Sequence, residues 1–166
     1  MTLFFVRTAS AADLAAVSAL LRETWHATYD GIYGPERVAE ITASWHSLDA
    51  LRPRLTRPTS EFLVADDGTR LGGMAFAASG PDGKSVLLHQ LYVRPDCQGH
   101  GIGSDLLREI ETAFPQAERV RLEVEEANLA AVGFYEAKGF SPIGHTKNCG
   151  AEDSGLSAVV YEKSLL

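Results

Sequence analysis

The sequence predicts a mixed α+β domain, and three observations carry that prediction. Short apolar or alternating runs that suit strands recur between turn signals. Longer stretches with apolar residues every three to four positions suit helices, and the two kinds are interspersed along the chain. The length of 166 residues fits one core and is short for two ordinary domains, so residues 1–166 are expected to form a single domain.

Leu3 to Thr8 reads as a short apolar strand, and Ser10 to Asp13 supplies capping side chains to a helix through Leu14, Val17, Leu20 and Leu21. The pattern continues to Trp25 and Tyr29 and is expected to break at Asp30-Gly31 and again at Gly34-Pro35, where Pro35 opens another helix. Apolar spacing through Val38, Ile41, Trp45, Leu48 and Leu51 predicts a helix from Glu36 to Leu55. Arg52-Pro53 and Arg57-Pro58 end it, because a residue before proline is pushed out of the helical region. Glu61 to Ala65 and Arg70 to Ala78 form a hairpin around Asp66-Asp67-Gly68. Gly80-Pro81-Asp82-Gly83 then turns the chain into Val86 to Val93, which completes a three-stranded antiparallel meander.

Pro95 stops that strand, and Ser104 to Phe114 is helical up to Pro115. Val120, Leu122 and Val124 then lie on one side of a strand and Arg119, Arg121 and Glu123 on the other. Asn128 is a good N-cap for a helix through Lys138, with Gly139 as its C′ residue. Phe140 to Thr146 and Leu156 to Leu165 read as closing strands on either side of a polar loop at Lys147 to Gly155.

Composition excludes several classes of protein. With 45% hydrophobic and 22% charged residues the chain is ordinary globular material, neither disordered nor a disulfide scaffold. No apolar run approaches the length of a membrane span, so no membrane partner is expected. The net charge of −7 with no basic patch makes a nucleic-acid backbone a poor partner. Cys97 and Cys149 follow no metal or CxxC spacing, and the first residues lack a secretory pattern, so a reducing cytoplasm is expected. Cys97-x-x-His100 has no second pair at ligand spacing, so no metal is expected.

The most informative segment is the strand, turn and helix start from Leu87 to Ser104, with Gly99, Gly101 and Gly103 at alternate positions. Such glycines allow positive φ and close approach of a ligand to the main chain, and the first amides of the following helix make an anion site. A P-loop would need a lysine that this stretch lacks. A dinucleotide fingerprint would need glycine where Ser104 stands; Glu123 suits its ribose-binding acid, but too few residues follow for a doubly wound sheet. A tight turn with no ligand is the plain structural alternative.

Gln98-x-x-Gly101-x-Gly103 after Leu91-Tyr92-Val93 resembles the acetyl-coenzyme A signature of the GNAT superfamily of N-acetyltransferases. Asn128-x-x-Ala131-x-x-Phe134-Tyr135-x-x-x-Gly139-Phe140 resembles that family's next block, Val6 to Asp13 its opening strand and helix, and Tyr161 to Leu165 its closing strand. His100 stands where a lysine or arginine is common, and Cys97 replaces a frequent aromatic. The resemblance implies a three-layer α/β/α fold: a central mixed, mostly antiparallel sheet of six to seven strands flanked by about four to five helices. It also implies transfer of an acetyl group from acetyl-coenzyme A to a primary amine of a small molecule or peptide, by direct attack in a ternary complex.

Roles follow from the same resemblance. The pantetheine arm pairs with the backbone of Leu91 and Val93, beside Tyr92, where neighbouring strands splay, and a backbone N–H there faces the thioester oxygen. The pyrophosphate falls on the cradle Gln98, Gly99, His100, Gly101, Ile102, Gly103 and Ser104. An alkyl amine has a pKa of about 10.4, so keeping it neutral near pH 7 costs roughly 4 to 5 kcal/mol, and a base would help. His89, on the strand before the cradle, is the candidate base, with packing or water-mediated action as alternatives. Tyr135 is the candidate acid for the departing thiolate; a packed aromatic is its bland reading. Asn128 either contacts the cofactor arm or simply caps its helix, and both are compatible.

Trp25, Tyr29 and Tyr33 repeat at one helical face and read first as core. The resemblance puts them beside the acceptor site as an apolar wall, with Trp45 nearby. Glu125 and Glu126 read as solvated loop acids that could also attract a cationic amine. The other class of function weighed against the enzyme is a module that holds an acyl-coenzyme A without transfer; Tyr135 and the complete cradle count against it. A nucleic-acid-directed acetyltransferase is disfavoured by the acid excess. The identity of the amine and the oligomeric state, a homodimer included, stay open at this point.

Overall fold

The strands and helices of the computed structural model, which describes residues 3–147, 149 and 155–166, occur in the predicted order. They are β1 (Phe5–Thr8), α1 (Leu14–Tyr33), α2 (Pro35–Trp45), α3 (Leu48–Leu51), β2 (Ser60–Asp66), β3 (Leu71–Ser79), β4 (Ser85–Val93), α4 (Ile102–Ala113), β5 (Arg119–Val124), α5 (Leu129–Ala137), β6 (Ser141–Thr146) and β7 (Ala158–Ser164). The strands form a seven-stranded mixed sheet in the order β1-β2-β3-β4-β5-β7-β6. The α+β expectation, including the β2-β3-β4 meander, therefore holds. The chain groups into two compact units: the first runs to Ala77 and resumes over Gln90–Ala113, and the second takes Ala78–His89 and resumes from Phe114.

In the first unit Ser10 and Asp13 form a capping box that starts the helical run. Helix α1 then continues through Asp30-Gly31, where a break was expected, and ends at Gly34, whose φ is +87°. A glycine inside a helix costs only about 1 kcal/mol. Packing of Trp25 and Tyr29 on Val38 outweighs that cost, and the left-handed residue is Gly34. The helix expected over Glu36–Leu55 is divided at His46-Ser47. Ser18 Oγ donates to the His46 carbonyl at 2.5 Å, and Ser47 Oγ accepts from the Ala50 amide at 3.1 Å to start α3. A tertiary contact thus ends α2 where its own periodicity would carry on.

One face of the sheet in this unit carries Phe62 and Val64 of β2 with Met74 and Phe76 of β3, packed against Leu14, Val17, Leu20 and Leu21 of α1. The opposite face is held close to α4: a Cβ on Gly73 would lie 2.9 Å from Ile102 and 3.1 Å from Leu106. Alternation of side chains along β3 accordingly places α1 and α4 on opposite faces.

In the second unit β5 runs parallel to β4 and antiparallel to β7, which pairs antiparallel with β6. Val120, Leu122 and Val124 are buried while Arg119, Arg121 and Glu123 are less so, as their alternation predicts. The β4–β5 ladder runs from Ser85↔Arg119 to Leu88↔Leu122. His89–Val93 of β4 lie beyond it. The loop expected at Lys147 to Gly155 falls mostly outside the described residues.

Candidate functional site

The glycine turn has the backbone its sequence demands. Gly99 and Gly101 have φ of +81° and +83°, which side-chain-bearing residues rarely adopt, and a Cβ built on either would meet nothing within 4 Å. Gly103 instead belongs to α4. The Asp105 amide donates to the Gly101 carbonyl at 3.0 Å, the first bond of that helix. The amides of Ile102, Gly103 and Ser104 precede it and have no intrahelical acceptor by geometry, so they and the helix dipole favour an anion.

Side chains of the turn bond back to its own backbone and brace it. Gln98 Nε2 donates to the Val93 carbonyl at 3.2 Å, and His100 Nδ1 lies 3.0 Å from the Cys97 carbonyl, to which it donates. Cys97 is buried, with Arg70 3.3 Å from its sulfur and 2.9 Å from the Asp96 carboxylate. Burial raises the Cys97 thiol pKa, so it acts as a packed thiol. Among the described residues no three His, Cys, Asp or Glu side chains gather as a metal would require. Leu91, Tyr92 and Val93 are half-buried at the end of β4, and Tyr92 packs against both apolar clusters of the first unit.

The aromatic stripe of α1 is also in the first unit. Trp25 and Tyr29 are buried with ring centroids 4.5 Å apart, Tyr29 stacks on Tyr33 at 5.6 Å, and Trp45 meets Trp25 edge-on at 5.7 Å. The structure adds three residues the sequence reading passed over. His46 is buried with its ring 5.5 Å from Trp25, and its Nδ1 is 3.3 Å from Gln90 Nε2. Gln90 Oε1 in turn accepts from Arg54 Nη1. Burial first, then the charge of Arg54, push the His46 pKa down to about 3, with the Trp45 carbonyl opposing, so the ring is neutral at pH 7. A signal for Gln90 existed: it continues the buried alternation of Val86 and Leu88, whereas His89 does not.

The remaining predicted residues belong to the second unit. His89 is exposed on β4. Asn128 caps α5, its Oδ1 accepting from the Ala131 amide at 3.2 Å. Tyr135 is buried, edge-on to Phe134 at 5.3 Å and to Phe140 at 5.5 Å. Gly139, with φ of +96°, ends that helix as its C′ position requires. Glu126 lies 3.1 Å from His145 Nε2.

Comparisons with known proteins bear on this arrangement. Residues 18–140 match the family model described as the Acetyltransferase (GNAT) family. A spermidine N(1)-acetyltransferase of Thermoplasma acidophilum is 30% identical over 165 residues, covering 95% of this chain and 95% of that protein. A probable N-acetyltransferase of Mycobacterium tuberculosis is 30% identical over 145 residues, 85% of this chain and 82% of the relative. The crystal structure of PaiA N-acetyltransferase from Thermoplasma acidophilum, in complex with coenzyme A, aligns with a TM-score of 0.85 and 25% identity over 98% of this chain and 99% of that one.

Proposed function

Since this chain belongs to the acetyltransferase (GNAT) family, we propose that the turn at Gly99–Ser104 carries the pyrophosphate of acetyl-coenzyme A and that a primary amine attacks the thioester directly, in a ternary complex. The reaction is an N-acetylation. A nitrogen–carbon bond forms, the carbon–sulfur bond breaks, and coenzyme A leaves with a proton on sulfur. The observation that carries the reading is the pair of left-handed glycines directly before α4, which turns amides toward an anion and leaves open space where side chains would stand.

Backbone groups of Leu91 and Val93 receive the pantetheine arm in this reading. The end of the β4–β5 ladder at Leu88↔Leu122 supports it, because β4 continues to Val93 beyond its partner. Tyr135 protonates the thiolate; its support is its position in the Asn128–Phe140 block. We assign the amine proton to His89, directly or through water, on the strength of its exposure on β4, the strand that leads into the cradle. The family match draws on residues of both compact units, which supports one acetyltransferase domain over residues 1–166. That Cys97 and Cys149 are not in a disulfide supports a reducing cytoplasm as its location.

The test is free-thiol release across an amine panel, with coenzyme A affinity measured by calorimetry. Tyr135→Phe is expected to lower kcat by about 100-fold while leaving the coenzyme A Kd unchanged. Unchanged turnover would take the acid role from Tyr135. Failure of the wild-type chain to bind coenzyme A would overturn the reading as a whole.

A further inference from the structure

Two buried hydrogen-bond donors in the first unit are left without partners among the described residues: Trp25 Nε1 and His46 Nε2. Trp25 is 6% exposed and His46 3%, so neither atom is served by bulk water. A buried donor left unpaired is costly, and such atoms in a folded protein call for an explanation.

The hydrogen-bond chain behind His46 favours one tautomer, although the Trp45 carbonyl also acts on the ring. Arg54 can only donate, so the Gln90 oxygen faces it and the Gln90 NH2 faces His46 Nδ1. An amide NH2 opposite Nδ1 requires Nδ1 to accept, which puts the ring proton on Nε2. The tautomer therefore makes His46 Nε2 a donor, as Trp25 Nε1 is by its nature. The two rings touch, tilted at 57°. Packed around Trp25 stand Tyr29, Val38, Tyr33, Ile41, Trp45 and Tyr92, a largely aromatic and aliphatic wall.

Resting on the acetyltransferase reading, we propose that Trp25 and His46 form the acceptor-recognition site and read an oxygen, that of a carboxamide, carboxylate or hydroxyl, carried by the amine substrate. An oxygen brings lone pairs that such donors can use. A protonated nitrogen brings further donors and would leave both N–H groups unpaired. The nearby Arg54 charge acts in the same direction, favouring an anionic or carbonyl oxygen and opposing a second cation. The substrate class is thus an amine of amino-acid or amide character in preference to a polyamine. Arg54 and Gln90 are positioning residues, because they act through His46.

The test compares n-pentylamine with amines of the same length ending in a carboxamide, a carboxylate or a hydroxyl, and with spermidine, by free-thiol release. For the wild-type enzyme, kcat/KM for at least one oxygen-bearing amine is expected to exceed that of n-pentylamine and of spermidine by about 10- to 100-fold. Trp25→Phe, which keeps an aromatic ring and removes the N–H, should pull that ratio toward unity, chiefly through KM. Coenzyme A affinity of the variant reports that it is folded. Independently, the indole N–H resonance of Trp25 in isotope-labelled protein should move on addition of the favoured amine. Equal use of n-pentylamine or spermidine by the wild type overturns the proposal and leaves the acetyltransferase reading standing. An indole resonance that does not respond assigns the two donors to an internal water, and also overturns it. A protein that binds no coenzyme A fails the earlier reading instead, and the indole titration then decides this proposal by itself.

Discussion

The Asp13 carboxylate takes two hydrogen bonds at 2.8 Å from the Arg7 guanidinium and a third at 2.8 Å from the Ser10 amide. The Arg7 bonds first, with burial opposing, lower its pKa from 3.8 to about 2. A carboxylate depressed in this way stabilises the fold above its unfolded pKa, and that stability is lost as pH falls through the folded value. The shift corresponds to about 2 kcal/mol. Asp13→Asn should therefore lower denaturant stability near neutral pH by about 1–2 kcal/mol, and the gap to wild type should close between pH 3.8 and 2. A gap that persists below that window would mean the residue acts by packing alone. At this scale the candidate site was partly legible. The Gln98–Ser104 turn could be read because its chemistry is local, three glycines and a helix start. The His46–Gln90 contact joins residues 44 positions apart, and nothing in either neighbourhood announces the other.

Adjacent glycines in β3 show how an element constrains its residues. At Gly73 a Cβ would come within 3.0 Å of the Tyr92 carbonyl as well as against Ile102 and Leu106 of α4, so backbone and helix must both move. At Gly72 the three atoms nearest the Cβ all belong to the ring of Phe4, the far end of a rotatable side chain. Gly73→Ala should cost about 1–3 kcal/mol of stability and Gly72→Ala clearly less, as thermal denaturation would show; equal effects would mean that α4 is not held against β3 by that close approach. Element order was legible because turns such as Asp66–Gly68 and Gly80–Gly83 advertise themselves: Asp67 Oδ1 accepts from the Thr69 and Arg70 amides, and Asp82 Oδ1 from those of Lys84 and Ser85. The division of 36–55 was not, since Ser18 ends α2 from another helix. Strand order beyond the meander was equally hidden, because β7 sits between β5 and β6 and no local pattern sets that choice.

For the molecule as a whole, a charge of −7 is compatible with the proposed anion site, because that proposal rests on amides at Gly99–Ser104, which carry no formal charge to be outnumbered. The remaining question at this scale is whether the chain unfolds as one body. Strands β3 and β4 each run through both compact units, Leu71–Ser79 across the boundary after Ala77 and Ser85–Val93 across the boundary after His89. Separate melting would therefore have to interrupt two continuous strands, of which β3 is buried over Leu71–Ala78, and that argues for a single cooperative transition. Coenzyme A at about 100-fold excess over its Kd should add about 2.7 kcal/mol to the native state. For a chain of this length that is a rise in Tm of roughly 5–10 °C. The expected scan has one transition in the free protein and one, displaced upward as a whole, with ligand. Two transitions, of which coenzyme A moved only one, would show that the units unfold independently and that residues 1–166 are not one domain in the thermodynamic sense.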